Sequence, residues 1–457
     1  MPRLLLINPS NESTGLGKFR SIAWPPLNLP YLAALTPDHY EIKIIDENVE
    51  SFKFMEADIV GITALTSTVT RGYKIAQMYR EQGITTVMGG IHVSMMPEEA
   101  LCYSDAVVIG EAESVWPKLL QDFENGRLEK QYHGVWMDLD NLPTPRRDLL
   151  RSDYYKWGSI QTSRGCPMNC SFCSVTTFSG KRVRRRPLED VISELEQIPQ
   201  EKIAVSDDNI IGHSKKDRAW AKALFTRIIE KGIKKRFFVQ SSIQFGEDPE
   251  LIKLAAKAGV TILFIGIESV NPDSLKSYQK QINLTRNRRY HQLLSSIRKS
   301  GILINGAFIV GGDEDDLSIF HTTLKFIESS KIDILQITKP TPLPGTGLWK
   351  QLSGDNRILD TDFPKAWMNY RFTKMVFKPH KMSIDDVYEG FTYLKIKYYG
   401  FWGTVKRTLA TLLSSKSITS TIIAYAVNQS YKKGFLNSEH YKIYRNKGLK
   451  RKFQNLR

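Results

Sequence analysis

The sequence predicts an α/β protein: an N-terminal doubly wound parallel sheet, a second parallel α/β region shaped as a partial barrel, and a helical C-terminal element. Three observations predict it. Short β-branched runs alternate with helix-like stretches in two successive regions, the first region's runs mostly end in small or hydroxyl residues, and beyond 346 the spacing becomes helical, aromatic and basic.

Five strand-like runs fall in the first region: LLLIN, YEIKIID, ADIVGIT, ITTVMGG and AVVIGEAE. Ligands of such sheets gather beyond the carboxyl ends of the strands. Three of the five runs end in Gly, Thr or Asn, which marks a ligand-facing edge. Residues 1–135 are assigned to this domain. Residues 136–156, aperiodic and with two close prolines, read as a linker.

Residues 157–345 carry six further runs: SIQTSR, KIAVSDDN, FFVQSS, ILFIGIES, NGAFIVGG and ILQITKP. Helix-like stretches separate them, among them LEDVISELEQI, AWAKALFTRIIEKG and PELIKLAAKAG. A closed barrel of eight units needs more chain, so a partial (β/α)6 barrel is expected. Residues 346–457 form the expected C-terminal element, facing substrate or a partner.

Composition narrows the function. The 457 residues hold only four cysteines, three of them within TSRGCPMNCSFCS, so a disulfide framework is not expected. The N-terminus runs straight into a strand-like segment without a signal-peptide pattern, and ITSTIIAYAV is too short to span a membrane. The expected location is the cytosol. The net charge is +16, and from Lys381 to Arg457 there are 15 basic and 4 acidic residues. FWGTVKRTLATLLSSKS suits an anionic membrane surface or an acidic partner, and equally an amphipathic helix packed on the barrel. No nucleic-acid recognition module is visible.

Cys166, Cys170 and Cys173 follow C-x3-C-x2-C, which wraps one loop around one metal centre. Zinc sites pair distant C-x2-C knuckles and close with four ligands, and no second knuckle is present. A zinc loop completed by a distant histidine stays open as the alternative, and with it a zinc-stabilised binding module. A [4Fe-4S] cluster held by three thiolates leaves one iron free for a small molecule.

This stretch resembles the radical SAM enzymes, whose signature is the same spacing with an aromatic, here Phe172, before the third cysteine. The resemblance implies that the open iron chelates S-adenosylmethionine and that reductive cleavage yields a 5′-deoxyadenosyl radical. It implies SAM contacts at Phe172, Asp207, Asp208, Asn209, Gln240, Ser242, Glu268 and Gly311. A helix cap at Asp207 and Asn209 and a plain turn at Gly311 and Gly312 are the bland alternatives. KRVRRRP, just past the cysteines, could meet an anionic group or be a solvated charge run.

The first domain lacks G-x-G-x-x-G, which removes the dinucleotide signature. GITALTS followed by VMGG is similar to cobalamin-binding domains. The resemblance implies contacts at Asn8, Ser10, Thr63, Leu65, Ser67, Gly89, Gly90, His92, Gly110 and Glu111. NPSNESTG has no histidine to coordinate cobalt from below, and His92 as a lone histidine has a structural role as its alternative. Implied cofactors are therefore the [4Fe-4S] cluster, S-adenosylmethionine and cobalamin, with a reducing electron donor protein as partner. The implied reaction is C-methylation of an unactivated carbon on a small hydrophobic substrate. Oxidative cyclisation or ring rearrangement on the same scaffold is the rival, and no side chain is singled out as a catalytic acid, base or nucleophile.

Overall fold

A computed structural model describes residues 1–10, 24–151, 153–438 and 441–443. The chain forms two compact units. The first comprises residues 1–168, 172–200 and 341–376, and the second residues 169–171, 201–340 and 377–457.

In chain order the first stretch gives β1 (Arg3–Asn8), α1 (Asn28–Leu35), β2 (Glu41–Asp46), β3 (Ile59–Thr63), α2 (Val69–Arg80) and β4 (Thr85–Gly89). Next come α3 (Ile91–Met95), α4 (Pro97–Leu101), β5 (Ala106–Ile109), α5 (Trp116–Glu124) and β6 (Gln131–His133). Then follow β7 (Gly158–Ile160), β8 (Ser163–Arg164), α6 (Val175–Ser179), β9 (Arg184–Arg185) and α7 (Leu188–Gln197). After them come β10 (Lys202–Val205), α8 (Lys215–Glu230), β11 (Arg236–Ser241), α9 (Pro249–Ala258) and β12 (Val260–Glu268). α10 (Pro272–Ser277), α11 (Gln281–Leu284), α12 (Tyr290–Lys299), β13 (Leu303–Ile309), α13 (Ser318–Ser329) and β14 (Ile334–Thr338) complete the strands. The chain closes with α14 (Gly347–Gly354), α15 (Ile384–Tyr399), α16 (Phe401–Ser415) and α17 (Ile418–Leu436).

In the first unit a parallel sheet has the order β2-β1-β3-β4-β5-β6. Alternation divides its side chains between two cores. Leu4, Leu6, Ile59 and Val87 pack with Trp116 and Leu119 of α5, while Leu5, Ile7, Val60 and Ile62 pack with Tyr73, Ile75 and Tyr79 of α2. Strand order reverses between β1 and β3, which opens a crevice at their carboxyl ends.

The second face also takes Trp367, Tyr370 and Val376, with Trp349 and Phe363 against them. The expected single element over 346–457 is thus divided. Its first 31 residues, 346–376, complete the core of the first unit because their aromatics cover the buried apolar face of α2, and Thr70 Oγ1 donates to the Pro364 carbonyl at 3.1 Å.

In the second unit five parallel strands follow one another in the sheet as in the sequence, β10 to β14. Sequential parallel strands joined by helices are the barrel-type arrangement that the spacing predicts. The caps explain where helices begin. Ser214 and Asp217 form a capping box on α8, Asp248 caps α9 with Pro249 in its first turn, and Ser383 and Asp386 form a capping box on α15. SIQTSR, expected as one strand, is divided into β7 and β8.

Candidate active site: two strand edges and a cysteine loop

At the switch point of the first sheet, Asn8 ends β1, Thr63 ends β3 and Gly89 ends β4. The loops beyond these ends are tied together. Ala64 N donates to the Gly89 carbonyl (2.9 Å), His92 N to the Ala64 carbonyl (3.2 Å), and Ser94 Oγ bridges by donating to the Gly90 carbonyl and accepting from Gly110 N. Gly90 has φ +96°, and a Cβ there would lie 2.9 Å from both backbone N and O of Ala64. Only glycine fits that approach. Leu65 stands out from the edge at 60 % exposure, Thr63 accepts from Asn28 Nδ2 (3.0 Å), and Ser67 is half-buried. Asn8 donates to Asp46 Oδ1, and Ser10 N donates to Glu47 Oε2. The rest of NPSNESTG, residues 11–15, lies outside the described residues.

Two residues expected to touch a cofactor here turn inward instead. His92 is buried, with Nδ1 3.2 Å from Thr66 Oγ1 and Nε2 3.3 Å from Glu99 Oε1. Glu99 also accepts from Tyr73 Oη and Trp367 Nε1. These bonds outweigh its desolvation and hold its carboxyl below the usual carboxylate range. Glu111 is buried against Arg184, whose guanidinium donates to both of its oxygens, with Arg164 3.4 Å away. Both side chains are already engaged, so they shape the edge from behind.

The same pairing settles KRVRRRP. Arg184 and Arg186 are buried in ion pairs with Glu111 and Glu194, so neither a free anion site nor a solvated run describes them. Arg182 is exposed, 3.6 Å from Asp138.

The antiparallel pair β8 and β9 closes the base of the cysteine loop through Ser163↔Arg185 and Arg164↔Arg184. Gly165, at φ +89°, begins the loop where a Cβ would come 2.2 Å from the Arg182 carbonyl. Cys166 N donates to the Gly180 carbonyl (3.2 Å), and Thr176 Oγ1 to Met168 O (2.7 Å). Asn169 donates to Gln279 Oε1 and Ser171 N to Tyr278 O, both at 3.0 Å. All three loop cysteines are outside any disulfide and half-buried, and Phe172 is half-buried too. Burial pushes the Cys170 thiol up, Lys280 draws it down, and Glu268 raises it further. Among the described residues no three His, Cys, Asp or Glu side chains close round one point as ligands of a single ion would.

In the second unit, two of the polar residues expected from the sequence are bonded across strand ends. Asn209 joins two of these ends: its Oδ1 accepts from Ser241 Oγ (3.3 Å) and Ser242 N (3.2 Å), while Nδ2 donates to Gly212 O (2.9 Å). Ile210 N donates to the Gln240 carbonyl (3.0 Å). Gln240 is half-buried, and Ser242 Oγ is buried without a hydrogen bond. Asp207 is fully buried. Asp208 is exposed as a residue, yet its carboxyl lies near enough to protein for desolvation, and then the Asp207 charge, to push it up to about 6.

Glu268 ends β12 with φ +62°, a left-handed conformation that costs a non-glycine residue about 1–3 kcal/mol. Its carboxylate accepts from Lys280 Nζ at 2.9 Å, and Asn283 Nδ2 donates to the carbonyls of Gly266 and Ile267 just before it. Gly311 (φ +96°) and Gly312 donate to Asp315 Oδ2, which is buried and whose other oxygen accepts from Ser274 Oγ (2.6 Å). A Cβ on Gly312 would fall 2.3 Å from Tyr278 Oη, so this is a backbone held close to a neighbour and not a plain surface turn.

Lys280, Asn283 and Asp315 were not legible in the sequence, since each acts on a motif residue from a separate helix or turn. Lys339, just past β14, was also missed. It is buried, its Nζ lies 4.0 Å from the Phe391 ring centroid, and desolvation, then Lys395, draws its pKa well below the lysine range.

Residues 160–327 match the radical SAM superfamily model, and residues 20–120 match the B12 binding domain model. The bacteriochlorophyllide d C-12(1)-methyltransferase of Chlorobaculum tepidum is 30 % identical over 418 residues, covering 88 % of each chain. An anaerobic magnesium-protoporphyrin IX monomethyl ester cyclase of Rubrivivax gelatinosus is 26 % identical, covering 84 % of this chain and 75 % of its own. In fold, the radical SAM methyltransferase TsrM of Kitasatospora setae, solved with cobalamin and a [4Fe-4S] cluster, superposes with a TM-score of 0.67 at 16 % identity, over 94 % of this chain and 99 % of that one. The residues present suit both cofactors, with three cysteines outside any disulfide on one loop and a glycine edge that a Cβ would fill. This chain is an enzyme of the cobalamin-dependent radical SAM family, among relatives that are chiefly C-methyltransferases.

Proposed function

We propose that the protein methylates an unactivated carbon of a hydrophobic metabolite, a tetrapyrrole or polycyclic lipid. The observation that carries this reading is the presence, in one chain, of two differently built strand edges, one of glycines and hydroxyls and one of carboxylates and amides, together with a loop of three thiols. Similarity to a bacteriochlorophyllide methyltransferase over most of both chains supports the substrate class.

In this reading Cys166, Cys170 and Cys173 hold the cluster. Asp207, Asp208, Gln240, Ser242, Glu268 and Gly311 hold SAM with Phe172, and Asn209 keeps two of their loops in register. Asn8, Ser10, Thr63, Leu65, Ser67, Gly89, Gly90 and Gly110 receive the cobalamin, while His92 and Glu111 position that edge. When bound, the cluster and SAM supply a hydrogen-abstracting radical, and methylcobalamin supplies the methyl group. The protein's own part is to bind, orient and exclude water. Electrons come from a reducing donor protein, and the enzyme works in the cytosol, peripherally on a membrane.

An anaerobic assay with reductant and methyl-labelled SAM tests the reaction on candidate tetrapyrroles and polycyclic lipids. Deoxyadenosine, S-adenosylhomocysteine and a product heavier by one methylene are expected. A product that loses hydrogens and gains no carbon would instead establish cyclisation, the activity named for the Rubrivivax relative.

A further inference from the structure

α16 is amphipathic in the reverse of the usual sense. Its inward face is polar: Thr411 Oγ1 donates to Asp333 Oδ1 (2.7 Å), Arg298 Nη2 donates to the Ala410 carbonyl and to Ser414 Oγ, and Arg407 donates to the Tyr398 carbonyl (3.0 Å). Its outward face is apolar. Trp402, Leu409 and Leu413 are 71 %, 54 % and 78 % exposed, and their spacing of seven and four places them on one helical stripe.

α17 shares the exposed apolar stripe, though its inner side also buries Ala424, Val427 and Phe435. Asn428 faces inward, donating to the Asp333 carbonyl (2.8 Å), while Ile418, Ile422 and Tyr425 are 72 %, 60 % and 47 % exposed. A helix folded for water puts its apolar stripe inside, so two consecutive helices with the stripe outside require a cover.

Charge selects the cover. Between Phe401 and Asn437 the chain carries Lys406, Arg407, Lys416, Lys432 and Lys433 and no acidic residue. Lys406 and Lys416 lie in sequence beside the apolar stripe of α16, and both are exposed. The remaining tail, residues 444–457, adds six cations and no acid, so repulsion disfavours it as the cover. A second copy would bring the same positive charge against itself. No described helix is long and apolar enough to cross a membrane.

We propose that α16 and α17 form an in-plane docking surface for an anionic lipid bilayer, with Trp402, Leu409, Leu413, Ile418 and Ile422 in the acyl boundary and the lysines at the headgroups. Apolar burial and electrostatic attraction act together in such surfaces. The proposal gives the peripheral membrane contact its residues and is measured without turnover, so it stands or falls separately from the methylation reading.

The test is flotation of the full chain with vesicles of phosphatidylcholine alone or mixed with phosphatidylglycerol. Binding to the mixed vesicles, weak binding to the neutral ones, and loss at high salt are expected. The variant W402S/L409S/L413S, verified as folded by its melting temperature, loses at least about tenfold in vesicle affinity. Failure of the parent protein to float with anionic vesicles at low salt overturns the proposal. So does undiminished flotation of the triple variant, which would leave electrostatics alone. A dimer in analytical ultracentrifugation that the triple variant dissociates would make this face a self-interface.

Discussion

The carboxyl edges of the two sheets are built with different chemistry. In the first unit the edge is made by removing side chains: a Cβ on Gly90 would come 2.9 Å from the Ala64 backbone, and Leu65 projects into the open. In the second unit it is made by adding them: Asn209 binds Ser241 and Ser242, Asp208 and Gln240 stand at the same strand ends, and Glu268 is held in a left-handed backbone beside Lys280. An edge emptied of side chains suits a bulky nucleotide tail lying against backbone. An edge lined with carboxylates and amides suits a cationic amino-acid derivative such as SAM.

If the division of labour holds, each edge fails alone. The largest effect is expected from Cys170→Ala, which removes one of three thiolates on a loop with no substitute ligand in sequence. SAM cleavage to deoxyadenosine should be abolished, while the visible absorbance of bound cobalamin stays at the parent level; parallel loss of both would erase the comparison.

Gly90→Val tests the other edge. Its side chain meets the Ala64 backbone and strains φ, so the loop must shift and cobalamin retention after gel filtration should drop to near nothing. Uncoupled SAM cleavage should continue. Unchanged cobalamin content would show that the nucleotide tail lies elsewhere.

The smallest effect sharpens the charge argument. With the Asp208 carboxyl raised to about 6, its ionised form is lost as pH falls from 7 to 5, and attraction for the SAM ammonium is lost with it. SAM affinity measured by equilibrium dialysis should weaken over that range. Asp208→Asn should weaken binding at pH 7 by about fivefold, the upper end for an exposed ion pair, and flatten the pH profile. For fold stability the sign is opposite. A folded-state pKa above the unfolded one makes ionisation costly above about pH 6, and that cost disappears below about pH 4. A profile unaltered by the substitution would remove Asp208 from the site.

Much of this was legible in the chain. The alternation of strand and helix patterns marked both parallel regions, and the three-cysteine spacing with Phe172 marked the loop, because those signals are local. Local signals failed where a residue's role depends on a distant partner. His92 and Glu111 look like edge residues by position, yet Glu99 and Arg184 capture them. The arginines of KRVRRRP look solvated, yet Arg184 and Arg186 are buried because two carboxylates wait for them. Residues 346–376 look continuous with the C-terminal helices, yet Trp367 and Tyr370 belong to the first core.

The sequence alone determined the fold class, the thiol loop and which strand ends carry small or polar residues, since periodicity and spacing act over a few residues. Tertiary structure decided which polar side chains remain available at those ends, because availability depends on burial and on ion pairs between positions tens of residues apart. It also decided which face of α16 is exposed. The amphipathic pattern defines two faces, and Asp333, 78 residues before Thr411, binds the polar one.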